Sequence, residues 1–178
     1  MGIDWAKEWK CRIGEQVAVG MTTILPGDNT NRETEDAIYF YTPQFYALDN
    51  FSPYTVRVWG VLFPTAEHAF QWKKFETVRP EIAQQILEAQ SPDVAKRIAK
   101  RFKPDRVPNW SDIKLRVMEE VLRAKYDQHS EVQGVLQKTG SRMIYENAAD
   151  DDFWGVGADG TGKNALGTLW MQIRGTQL

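Results

Sequence analysis

Residues 64–75 read PTAEHAFQWKKF, and their spacing predicts a short helix carrying more chemistry than packing requires. Thr65 stands where an N-cap belongs, and Glu67 falls in the first turn, where a carboxylate suits the helix dipole. Glu67, Phe70, Gln71 and Lys74 recur at i, i+3, i+4 and i+7, so one face holds an acid, an amide and an amine beside an aromatic ring. Ordinary solvated charges on a half-exposed helix would give the same residues. The choice between these readings depends on a second stretch, residues 151–174.

Outward from this helix, residues 37–41 (AIYFY) are strand formers, and residues 57–63 (RVWGVLF) predict a strand pair bent at Gly60. Asn50, Ser52 and Pro53 mark a turn between them. On the C-terminal side the pattern turns helical. Pro80 opens residues 80–90 in the N1 position, and Ser91-Pro92-Asp93 starts the next helix. That helix ends in the basic run KRIAKRFKPDR, either a solvated face or a phosphate contact. Ser111 is the expected cap of a helix over 112–128, whose Ile113, Val117 and Val121 form an apolar stripe beside Met118 and Leu122. A further helix is expected over 130–138 and a strand at 142–146 (RMIYE). The glycine-rich loop NAADDDFWGVGADGTGKNALG follows, with Asn164 as candidate cap of a last helix.

Composition sets the frame. With 178 residues, 42% hydrophobic and 26% charged, the chain is long enough for one domain with its own core. A net charge of −2 gives no global attraction to nucleic acid or membrane. A single cysteine, Cys11, fits a reducing compartment, and neither a membrane span nor a signal peptide is legible, so a cytoplasmic location is the expectation. Residues 1–35 are read as an N-terminal extension packed on the domain, with a short helix displaying Trp5 and Trp9.

Two histidines and one cysteine do not make a usual zinc set. GVGADGTG lacks a βαβ setting for dinucleotides, and DDDFWGVGADG lacks the terminal glutamate of a calcium loop. No metal and no cofactor are therefore expected. Carboxylates beside aromatic rings suit glycosidic cleavage, where one can stabilise an oxocarbenium ion, activate water or protonate the leaving group. A lysine can instead attack an opened sugar as a Schiff base, and glycine-rich backbone can approach a phosphate.

Asn50-Phe51 with Pro53, Thr65 to Gln71 with Lys74, Asn109-Trp110, Lys125-Tyr126, and Asp151 to Gly155 with Gly162 to Gly167, Met171 and Arg174 occur in one order. In this the chain resembles the YbiA-like or NADAR family from about residue 38 to 174. The resemblance implies an α+β fold, a single mainly helical YbiA-like domain over 36–178 with a small β-sheet. It implies a hydrolase, an N-glycosidase acting on ribosylaminopyrimidine 5′-phosphates, early riboflavin intermediates, and releasing ribose 5-phosphate. A second branch removes ADP-ribose from guanine bases, with the basic run as contact surface for modified nucleic acid. A non-catalytic ADP-ribose-binding module is the third alternative.

Carried over residue by residue, the resemblance makes Glu67, Lys74 and Asp151 the catalytic candidates. Glu67 is the acid/base or oxocarbenium-stabilising carboxylate. Lys74 is a Schiff-base amine or a phosphate ligand. Asp151 orients ribose hydroxyls or activates water, against a plain Asx-turn. Asn50 and Gln71 are candidates for hydrogen bonds to base or sugar, Trp110 and Trp154 for stacking, and Gly155 for close backbone approach. Asp152 stands in for Asp151 if the loop is bulged. Lys163 and Asn164 are candidate phosphate ligands at a helix start. His68 is expected to be packed rather than catalytic. The family's usual Ser-Asn-Phe is Asp49-Asn50-Phe51 here, which adds a carboxylate.

Overall fold

The computed structural model describes residues 24–41 and 46–176. The expected helix bearing Trp5 and Trp9 lies outside the described residues. The fold is α+β, with six helices and two small sheets among the described residues. Its contacts separate into two compact units, residues 47–137 and the two chain ends, 1–46 with 138–178.

In the unit formed by the chain ends, β1 (Arg32–Glu33) pairs antiparallel with β2 (Ala37–Phe40). In the unit formed by residues 47–137, β3 (Val56–Val58) and β4 (Val61–Phe63) form an antiparallel hairpin. Its turn is Trp59-Gly60, both at positive φ, the conformation a two-residue hairpin requires. The bend expected at Gly60 is therefore a reversal of the chain.

Four helices of this unit follow in order: α1 (Ala66–Trp72), α2 (Pro80–Leu87), α3 (Pro92–Arg101) and α4 (Trp110–Gln128). Thr65 and Ser91 cap α1 and α3 as expected, accepting from the His68 and Val94 N–H groups. α4 starts two residues before the expected boundary, with Asn109 as N-cap and Ser111 inside the first turn. Phe75, Ile82, Ile86 and Ala95 form one core; Val56, Phe63, Ala69 and Val121 form a second.

After α5 (Ser130–Lys138), β5 (Met143–Glu146) adds to β2 in parallel, Ile38 facing Ile144. α6 (Ala165–Gly175) packs on β5. Tyr39 stacks on Tyr145 at 4.9 Å, with Val156, Ile24 and Leu25 around them. Residues 24–33 thus contribute a strand and core contacts to this unit.

Candidate active site

α1 is only seven residues long, and its expected polar face lies almost wholly in the interior. Glu67 is 5% exposed and Gln71 5%. Buried polar side chains must find partners, and these find each other. Gln71 Nε2 donates to Glu67 Oε1 at 2.7 Å, while Gln71 Oε1 accepts from Lys74 Nζ. Lys74 lies just past α1, where its backbone C=O accepts from the Val107 N–H at 2.9 Å. The result is an acid–amide–amine line.

Burial dominates the titration of both ends. Removal from water pushes the Glu67 carboxyl up, against the Gln71 hydrogen bond and the charges of Lys74 and Lys96. The Lys74 amine falls to about 8, mainly by burial and opposed by Glu67, with Arg106, Lys96 and Lys103 adding repulsion. About a tenth of Lys74 is then neutral at pH 7. The carboxyl favours holding its proton and the amine can be without one, the states an acid and a nucleophile need.

Trp110 is 3% exposed and packs edge-to-face on Phe70 at 5.0 Å, with Lys74 Nζ 5.3 Å from its ring centroid. Its indole forms part of the apolar seat of the amine, a setting that the expected base-stacking role did not include. Asn50 also belongs to this group, since its C=O accepts from the Glu67 N–H at 3.0 Å. His68 is packed as expected, held by Thr65 Oγ1 at 2.8 Å and the Ala89 carbonyl at 3.1 Å.

Sequence reading passed over Lys125 as a buried group. The amine is fully buried and donates to the Asp49 C=O at 2.7 Å and Ser52 Oγ at 2.6 Å, fixing the turn that carries Asn50. Burial lowers it to about 7, opposed by the Asp49 charge. The signal was available: Lys125 continues the apolar stripe of Met118, Val121 and Leu122 by one turn.

The other candidates lie together in the glycine loop of the second unit. Asp151 Oδ1 accepts from the Phe153 and Trp154 N–H groups at 3.0 and 2.7 Å, the Asx-turn geometry. Asp152 and Lys163 are exposed, and Trp154 is half-buried against Phe153.

At the start of α6, where a phosphate site is expected, the backbone donors already have partners. The N–H groups of Lys163, Asn164, Ala165 and Leu166 all donate to carbonyls of the loop, those of Asp152, Gly155, Phe153 and Trp154. Asn164 makes no side-chain cap; its amide accepts from the Glu146 N–H at 2.9 Å and donates to the Ile144 C=O at 2.8 Å. It fastens α6 to β5, so its side chain is structural. Gly155 is glycine because a Cβ would lie 2.9 Å from the Glu146 carbonyl. The backbone approached so closely is the chain's own.

Among the described residues, no three His, Cys, Asp or Glu side chains gather as a metal-ligand set. No helix there is long and apolar enough to cross a membrane.

An acid–amide–amine line of this kind brings together groups able to cleave a glycosidic bond. Residues 34–177 match the NADAR domain, and the chain belongs to that family. It is 37% identical to the N-glycosidase YbiA of Escherichia coli over 137 residues, 76% of this chain and 84% of that protein. A riboflavin biosynthesis protein of Vibrio vulnificus is 34% identical over 142 residues, 79% of this chain and 38% of that protein. The NMR structure of E. coli YbiA superposes with a TM-score of 0.74 at 31% identity, covering 86% of this chain and 92% of that one. The chain is thus a hydrolase of the N-glycosidase class.

Proposed function

We propose that this enzyme hydrolyses the N-glycosidic bond of a ribosylaminopyrimidine 5′-phosphate, releasing ribose 5-phosphate and the aminopyrimidine. The observation that carries this reading is the Glu67–Gln71–Lys74 line, which pairs a buried carboxyl with an amine lowered to about 8. The names of the relatives, N-glycosidases and riboflavin biosynthesis proteins, point to the same bond and the same substrate class.

A ribosylamine opens to an imine between C1′ and the base nitrogen. Neutral Lys74 then adds its lone pair to C1′. The base nitrogen takes one proton from the new Lys74 ammonium and one from Glu67, the C1′–N bond breaks, and the neutral aminopyrimidine leaves a protonated lysine imine. Water adds to the resulting lysine imine, and Glu67 recovers a proton as ribose 5-phosphate departs and the amine is restored. Lys96, Lys103 and Arg106 contribute a positive field at Lys74, which suits a substrate carrying phosphate. Asp151 is assigned a part by family resemblance alone, through the oxygen its turn leaves over.

The same positive field favours, as a second reading, an ADP-ribosyl-guanine substrate on nucleic acid. Each compound is offered separately to the purified protein, and released sugar phosphate is followed by mass spectrometry. Ribose 5-phosphate from the aminopyrimidine substrate is expected. ADP-ribose from the guanine conjugate alone would move the enzyme to the second reading, and release from neither would refute both.

A further inference from the structure

The turn that precedes β3 holds two hydrogen-bonding groups that the reaction above does not use. Asp49 Oδ1 accepts from the Phe51 N–H at 2.9 Å, while Oδ2 has no hydrogen bond among the described residues. Its neighbour Asn50 is 7% exposed, and its Oδ1 is buried without a partner. The orientation of that amide is set chemically. Asn50 Nδ2 donates to Met118 Sδ at 3.4 Å, and a thioether accepts but never donates, so the carbonyl oxygen is the atom left over.

A buried acceptor without a donor costs about 1–3 kcal/mol, and native proteins keep such groups where something else supplies the donor. Here that orphan, Asn50 Oδ1, stands beside the half-buried Asp49 carboxylate, whose Oδ2 takes no donor from the described residues, in a turn whose backbone is tied to Glu67. The Asn50 C=O takes the Glu67 N–H at 3.0 Å, and the Asp49 C=O is held by Lys125 and Ser52 Oγ. The turn is therefore rigid and its position beside the carboxyl is fixed. An anionic carboxylate repels phosphate, so the chemistry it fits is neutral and donor-rich.

We infer that Asp49 and Asn50 form an acceptor pair that selects substrates presenting two adjacent hydrogen-bond donors next to the scissile bond. Asp49 is a specificity-determining residue rather than a spare surface charge. Two parts of the proposed substrate carry that chemistry, the ribose diol and the amino groups of the pyrimidine. This rests on the ribosylaminopyrimidine reading for the identity of the donors, and its test does not need turnover.

Calorimetric binding of ribose 5-phosphate, 2-deoxyribose 5-phosphate and 2,4,5-triaminopyrimidine is compared for wild type, Asp49→Asn and Asp49→Ser. Asp49→Asn keeps an acceptor for the Phe51 N–H while turning the other oxygen into a donor. A loss of about tenfold to a hundredfold is expected for the donor-bearing fragment, the usual range for a charge-assisted hydrogen bond. Loss on ribose 5-phosphate but not its 2-deoxy form identifies the diol. Loss on the triaminopyrimidine identifies the base. Equal affinity of folded wild type and variants for every fragment overturns the inference, as does wild type binding none of them. Asp49→Ser guards against a folding artefact in the amide variant. The ribosylaminopyrimidine reading fails separately, if wild type releases no ribose 5-phosphate from the intact substrate.

Discussion

Gln71 donates to Glu67 through Nε2 at 2.7 Å and accepts from Lys74 through Oε1. One neutral amide thus joins a buried carboxyl to a half-buried amine without bringing them into direct contact. A direct ion pair would hold both groups charged. The spacer lets burial dominate, raising Glu67 and lowering Lys74.

Glu67→Gln keeps the acceptor for Gln71 and removes the proton. Loss of about 10²–10⁴ in kcat is expected, the range of general acid–base catalysis, with substrate binding retained. Stability should move the other way. A carboxyl raised by folding destabilises the native state increasingly as pH climbs from the unfolded value through the folded one. The variant lacks that penalty, so its thermal midpoint should exceed that of wild type at pH 8, by about 2–4 °C per kcal/mol, and match it more closely at pH 4. A midpoint equal to wild type at both pH values would contradict the buried-acid assignment.

In the proposed reaction Lys74 must be neutral to attack. kcat/KM is expected to climb with pH below about 8, because the neutral fraction grows tenfold per unit there. Arg106 repels the protonated amine, so Arg106→Gln should shift this ascending limb to higher pH. An unmoved limb in that variant would assign it to another group.

Lys125 allows a sharper test of linkage. Its amine is held near 7 in the fold against 10.5 for the free side chain, so the unfolded chain binds more protons between these values and wild-type stability rises with pH across that window. Lys125→Met has no such slope. The difference in unfolding free energy should favour the variant most at pH 6 and shift toward wild type as pH approaches 10. Urea titrations at several pH values measure it, and parallel pH dependences would refute it.

Asn164→Ala leaves the Glu146 N–H and the Ile144 C=O short of a partner inside the protein. A loss of about 2–4 kcal/mol is expected from two such groups. Gly167→Ala should be worse, since its Cβ would lie 2.1 Å from the Ile144 carbonyl oxygen. Lys163→Ala, exposed, should change stability little. Calorimetric melting of the three variants checks the ranking, and equal melting of Asn164→Ala and wild type would contradict this structural role.

The helices and strands were legible where local rules govern. Thr65 and Ser91 announce their helices, Trp59-Gly60 makes the hairpin, and AIYFY and MIYE carry the β-branched and aromatic residues that favour strands. Local rules do not set the start of α4, where the turn at 107–110 outweighs Ser111. The Glu67–Gln71–Lys74 line was readable from helical spacing, but its burial was not, since depth depends on what packs over α1. The hydrogen bonding of the glycine loop was hidden for the same reason. Its glycines and its helix start look like a phosphate cradle in sequence, yet their N–H groups close the loop on itself. The division of contacts into two units also escaped the sequence, because residues 37–40 pair with residues 143–146 about 100 positions further along the chain.

The proposed reaction makes Lys74 the nucleophile of a glycosidic cleavage. Borohydride added during turnover of a ribosylaminopyrimidine 5′-phosphate, followed by peptide mass spectrometry, tests it most directly. A reduced ribose 5-phosphate adduct on the peptide bearing Lys74 is expected in wild type, and none in Lys74→Arg. Release of ribose 5-phosphate at an undiminished rate with Lys74 unmodified would contradict it.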